Sequence, residues 1–220
     1  RNFAEQWKIE ERRDILTPRQ RSLTEDSFAF FHAHKEKHLP SRRERKDMKN
    51  RLIRVVAAVP QLRVGDVRFN TEQIIAIVRE QEESGVIVFP ELAVTGYTCA
   101  DLFRSDLLLA EAKDALMRIA EVTARTGVTA VVGVPVRYRN SLYNCGAVIS
   151  GGSVRARSPK TYLPNYSEFY EARWFASGSG ITEAFVRVGD REVPFGADIL
   201  AEDPVTEAGV GVGLCEGRGG

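Results

Sequence analysis

An α/β layered domain is what the order of segments along this 220-residue chain predicts. Three observations carry it. Apolar, β-branched runs alternate with stretches of helical periodicity. The helical stretches are amphipathic, so each has a face to bury. The strand-like runs are apolar at successive positions, as in a sheet covered on both sides.

Taken in order, "LIRVVAAV" at 52–59 reads as a buried strand. Asn70 and Gln73 resemble a capping box introducing a helix that carries Ile74, Ile77 and Val78 on one face, and Gly85 is placed to end it. "VIVF" at 86–89 is a second short buried strand. Residues 106–126 form a strong amphipathic helix closed by Gly127, and "VTAVVGVPV" at 128–136 is the next strand. "LYNCGAVI", Gly151-Gly152 and "SVRAR" read as a hairpin. A loop-rich stretch follows, with a short helix expected near 166–175 and strands near 184–188 and 209–215. The last strand ends at Cys215 with five residues to follow, which predicts an unpaired sheet edge there.

Composition excludes several classes of function. Lys+Arg 31 against Asp+Glu 30 argues against a nucleic-acid binder. The sequence holds no apolar run near the ~20 residues of a membrane helix and no visible secretory leader. Three cysteines without metal-type spacing fit a reducing, cytoplasmic setting, and no metal site is expected. Charge is uneven: residues 1–50 carry 13 Lys/Arg and 9 Asp/Glu, the remainder 18 and 21. That opening segment is expected to be a charged extension, disordered or non-native, with Met48 as a natural start, and residues 51–220 to form the domain. All three histidines (His32, His34, His38) lie in the extension, so the domain has no imidazole for a Ser-His or Cys-His pair.

Three places combine special backbone with reactive side chains. Glu91 in "VFPELAVTGY" follows a buried strand and a proline; it is either a group held at a cleft or a solvated loop carboxylate. Lys160 in "SPKTYLPNYSEFYEARWFASG" adjoins an aromatic run that either desolvates it or lets it snorkel from a packed loop. Cys215 closes the run "VGVGLCEG" and is either a nucleophile or an inert core residue, as Cys99 and Cys145 are expected to be. "SGGS" at 150–153 is a hairpin turn rather than a phosphate loop. A thiol acting at neutral pH needs a proton acceptor and a nearby positive charge; without histidine, a carboxylate and a lysine must supply them. Glu91, Lys160 and Cys215 could do so from the ends of three strands.

On "FPELAVTGY", "PKTYLPNYSEFYEARWFASG" and "LCEG" the chain resembles the nitrilase (carbon-nitrogen hydrolase) superfamily, whose members use Glu, Lys and Cys in that chain order. With "RVVAAVPQLRVGD" and "ELAVTGYTCADLF" added, it is similar to the glutaminase domains of glutamine-dependent NAD synthetases over about residues 51–217. The resemblance implies an α-β-β-α layered sandwich, C-terminally incomplete here, because Gly217 stands where the family has Asp and an aromatic-rich continuation. It implies that Cys215 attacks the side-chain amide of glutamine, that Glu91 relays the proton and that Lys160 stabilises the oxyanion. It further implies that Glu171 supports the Lys-Glu geometry in a substrate site lined by Tyr166, Phe169 and Glu216. No cofactor is implied for the glutaminase step; ATP and magnesium serve the synthetase domain, the partner that amidates deamido-NAD. An oligomer of identical chains is expected, with no nucleic-acid or membrane partner. A stand-alone amidase of another small amide, or an inactive interaction fragment, is the alternative.

Overall fold

The computed structural model describes residues 9–11, 29–34, 53–181, 184–197, 199–202 and 209–214. Eleven strands form two sheets in it. The first two, β1 (Ile9–Glu11) and β2 (Ala29–His34), come from the opening segment. They are followed by β3 (Val55–Ala57), helix α1 (Val67–Glu80), β4 (Val86–Val88), helix α2 (Asp106–Thr126) and β5 (Thr129–Tyr138). Next come β6 (Ser141–Ser150), β7 (Ser153–Pro159), β8 (Ala184–Val188), β9 (Arg191–Phe195), β10 (Ile199–Glu202) and β11 (Gly209–Leu214). One sheet has the order β3-β4-β5-β6-β7-β9-β8, with β3, β4 and β5 parallel; the other has the order β1-β10-β11-β2.

The period-two geometry of β5 shows how three layers arise. Ala130, Val132, Val134 and Val136 point to one face, into a core shared with Ile74 and Val78 of α1 and Leu116 and Ile119 of α2. Val131 points to the other face, where it joins Val148 and Ala156 against Ile199, Ala201, Val210, Val212 and Leu214 of the second sheet. Helices thus cover one side of the large sheet and a sheet covers the other. The layers are helix, sheet and sheet, as an α/β sandwich requires.

Helix α2 matches its expected span residue for residue. The Ser105 side chain accepts from the Leu108 N–H at its start, and Gly127 ends it with φ +72°, a left-handed conformation that costs glycine nothing. Helix α1 starts earlier than expected. Asp66 caps it, and Asn70 instead lies buried inside, its amide bonded to the backbone of Arg63 and Val94. Gly85 does not end that helix, which stops at Gln81; its N–H bonds to the Arg54 carbonyl at the start of β4. The 52–59 strand is not buried: β3 is a sheet edge, and Val55 is exposed. The helix expected at 166–175 is only a 3₁₀ turn, Glu171–Arg173. Nor is β11 an edge, for it pairs on both sides, with β10 and with β2.

Candidate functional site

Glu91 is placed by a tight turn that follows β4. The Phe89 N–H continues the parallel ladder onto Val131, after which the chain folds back so that Thr95 and Gly96 both donate to the Leu92 carbonyl. Leu92 takes φ +52°, a strained conformation for a branched side chain, and is fully buried there. This turn rests on β5 at a residue with no side chain. A Cβ on Gly133 would stand 2.3 Å from both the Pro90 carbonyl oxygen and the Leu92 nitrogen. Glycine inside a strand is otherwise unfavourable; here it admits the close backbone approach.

Lys160 follows β7 directly and is anchored at both backbone groups. Its N–H donates to the Asn144 carbonyl at 2.7 Å, and its carbonyl accepts from Gly178 at 2.8 Å. Glu171 opens the 3₁₀ turn, its N–H bonded to the Pro164 carbonyl. Three separate segments therefore deliver three charged side chains to one point. Lys160 Nζ lies 2.8 Å from Glu91 Oε2 and 3.0 Å from Glu171 Oε1, and all three side chains are 3% exposed.

Two neutral side chains complete the arrangement. The Asn144 amide donates to Glu91 Oε2 at 2.9 Å, and the Tyr97 hydroxyl donates to Glu171 Oε1. Oε2 of Glu91 thus takes two donors, while Oε1 is buried with no hydrogen-bond partner among the described residues; Oε2 of Glu171 and Oδ1 of Asn144 are in the same condition. Buried polar atoms without partners are costly and rare in folded proteins.

Electrostatics follow from this packing. Burial raises the Glu91 carboxyl above the ordinary range, outweighing the opposing pull of Lys160 and the Asn144 hydrogen bond. Burial works against the Lys160 ammonium too, but the charges of Glu91 and Glu171 more than offset it, and its pKa is raised. The Tyr97 hydroxyl is pushed up by burial and by its bond to Glu171, so it stays a donor. Burial likewise raises the thiols of Cys99 and Cys145, both of which lie in the core.

Of the residues singled out in the sequence, Glu91, Lys160 and Glu171 converge. Phe169 stands edge-on to Tyr97 with centroids 6.4 Å apart, and Tyr166 stands edge-on to Phe169 at 5.7 Å, so an aromatic file leads from the surface to Glu171's partner. Cys215 and Glu216 lie outside the described residues. What is described is the approach to them. Leu214 and Val212 of β11 sit against Gly146, where a Cβ would be 2.6 Å from Val212 Cγ1 and 3.6 Å from Leu214 Cδ1. Gly146 is the direct cross-strand partner of Gly133, beneath the Glu91 turn. The sequence reading missed Asn144, Tyr97 and Gly133. A glycine interrupting "VVGVP" was the one available signal, since such a residue marks close backbone approach.

An arrangement of this kind can take a proton on a buried carboxylate oxygen and present an ammonium hydrogen to a developing negative charge. The carbon-nitrogen hydrolase family profile matches residues 54–218. The glutamine-dependent NAD(+) synthetase of Mycobacterium leprae is 37% identical over 150 residues, which are 67% of this chain and 22% of that protein. A glutamine-dependent NAD(+) synthetase from Cytophaga hutchinsonii superposes with a TM-score of 0.62 and 29% identity, over 66% of this chain and 25% of the other. An amidase from Nesterenkonia sp. superposes with a TM-score of 0.51 and 19% identity, over 64% of this chain and 53% of the other, a likeness of fold. The chain spans about a fifth of the length of the curated relatives it matches. By the match of that profile over most of its length, the chain belongs to the carbon-nitrogen hydrolase family.

Proposed function

We propose that residues 51–220 are the glutaminase portion of a glutamine-dependent NAD synthetase, with Glu91, Lys160 and Cys215 as its catalytic residues. One observation carries the reading: Lys160 is clamped between two buried carboxylates, Glu91 and Glu171.

Glu91 Oε1 takes the proton of the Cys215 thiol, and the sulfur attacks the side-chain amide carbon of glutamine. The carbonyl oxygen becomes an oxyanion as the C–S bond forms. An ammonium has three hydrogens, and Lys160 gives two to the carboxylates, so the third is available to that oxyanion. Glu91 returns its proton to the nitrogen, the C–N bond breaks, and ammonia leaves a glutamyl thioester. Glu91 then takes a proton from water, hydroxide displaces the sulfur as the C–S bond breaks, Glu91 returns that proton to the Cys215 thiolate, and glutamate departs. Proton relay of this kind contributes ~10²–10⁴ in rate. The raised pKa of Glu91 brings the base closer to neutral operating pH. Tyr97 and Asn144 are positioning residues in this scheme, one holding Glu171 and the other holding Glu91.

Tyr166, Phe169 and Glu216 line the glutamine side of the site, and Glu171 both lines it and fixes Lys160. This step needs no cofactor. In the whole enzyme the ammonia serves ATP- and magnesium-dependent amidation of deamido-NAD in a separate synthetase domain, in an assembly of identical chains in the cytoplasm. Among the described residues, no helix is long and apolar enough to cross a membrane.

Release of ammonia from glutamine, from asparagine and from unrelated small amides tests the reading. Glutamine preference abolished by Glu91→Gln supports it. Selective hydrolysis of another amide assigns a stand-alone amidase, and no hydrolysis of any amide assigns an interaction fragment.

A further inference from the structure

Behind the Glu171 turn lies a second concavity, which none of the Glu91, Lys160 and Glu171 side chains lines. It has a volume of about 310 Å³, at the lower end for small-ligand sites, and is lined by Arg104, Arg137, Asn140, Ser141, Arg173 and Trp174, among others. Three arginines line this one small cavity, and two of them are paired with acids. Arg137 pairs with Asp106 at 2.6 Å and Arg173 with Asp101 at 3.2 Å. Asp101 also accepts from the Trp174 indole at 3.0 Å. Among the described residues Arg104 has no ion pair within 4 Å, and its hydrogen bond there is a long contact of 3.5 Å to the Arg173 carbonyl.

We propose that this cavity binds the phosphoryl group of a small molecule. A carboxylate presents two oxygens, enough for a single guanidinium fork. A phosphoryl group presents three strong acceptors and up to two negative charges, which suits a cavity lined by three arginines and the short polar side chains of Asn140 and Ser141. Trp174 supplies an aromatic face for whatever the phosphate is attached to. The site is coupled to Glu171 through the backbone, because the Trp174 and Phe175 N–H groups both donate to the Glu171 carbonyl. An anion that draws Arg173 from Asp101 therefore pulls on the turn that positions Glu171. That consequence rests on the amide-hydrolysis reading; the binding itself does not.

The chain has two tryptophans, Trp7 and Trp174. In a Trp7→Phe background, Trp174 emission reports the cavity directly and independently of any activity. Titration with inorganic phosphate and with phenyl phosphate, at ionic strength held constant with sodium chloride, is expected to give a saturable change. Arg104→Gln, which removes no ion pair, should weaken it at least ~10-fold. Tighter binding of phenyl phosphate assigns an ester, and equal binding assigns free phosphate. No saturable change with either, the same change with chloride alone, or full affinity in Arg104→Gln would overturn the proposal.

Discussion

Gly133 and Gly146 face each other across β5 and β6, and at neither position can a methyl group fit without something moving. Over Gly133 lies the backbone of the turn that carries Glu91; over Gly146 lie Val212 and Leu214 of β11. This bare pair lets one loop and one strand of the second sheet approach the same patch of the large sheet.

Gly133→Ala should therefore be severe. The added atom meets backbone at 2.3 Å, which no rotamer change relieves. Overpacking usually costs ~1–3 kcal/mol, and a backbone clash should reach or exceed the upper end. Gly146→Ala meets the end of a side chain at 2.6 Å and should cost less. Urea unfolding of the two variants checks the order.

Replacing the central cation tests the buried charge cluster. Lys160→Met leaves Glu91 and Glu171 uncompensated at 3% exposure, and removing one partner of a buried pair costs ~3–5 kcal/mol. Adding Glu91→Gln to Lys160→Met should recover part of that loss, since one stranded charge is then gone. Strictly additive losses in a double-mutant cycle would contradict the pairing.

The pH dependence has a definite sign. Glu91 has a raised carboxyl in the fold, so the native state holds its proton to higher pH than the unfolded chain does. Its contribution is complete below about pH 4.5 and is lost as pH rises through the raised value. Lys160 acts in the same direction at the alkaline end: its raised pKa gives stability that is present below about pH 10.5 and lost above it. The stability difference between wild type and Glu91→Gln should shift toward the variant as pH rises from 4.5 toward neutrality. A difference independent of pH would show that Glu91 is not perturbed.

Asn144 bears on the same group from another side. Its hydrogen bond to Glu91 Oε2 favours the ionised carboxylate, and a hydrogen bond to a charged group contributes ~1.5–3 kcal/mol. In Asn144→Leu the acid limb of the rate profile should move up by about one pH unit, with lower kcat and little change in KM. A purely structural role would lower the rate uniformly and leave the limb in place.

Much of this was legible in the sequence because periodicity and capping are local. Helix α2 has a serine cap, an apolar stripe and a glycine stop, and all three agree with its fold. The β6–β7 hairpin was equally plain, since Gly151 and Gly152 supply the positive φ values its turn requires. Asn70 misled because a residue that resembles a cap can instead be buried to tie a neighbouring loop. Strands β9 and β10 were missed: they are only 5 and 4 residues long, and pairing rather than composition defines them. In the site, Glu91, Lys160 and Glu171 stood out by residue type. Asn144 and Tyr97 did not, because their importance lies in contacts 53 and 74 residues away along the chain.

Activation of the Cys215 sulfur by Glu91 is the central step of the proposed hydrolysis. Mass-spectrometric mapping after brief exposure to a glutamine-like electrophile measures this directly on a chain with three cysteines. Modification at Cys215, with Cys99 and Cys145 untouched and the rate falling at least ~100-fold in Glu91→Gln, is the predicted result. Equal modification of all three cysteines, or a Cys215 rate indifferent to Glu91→Gln, would contradict it.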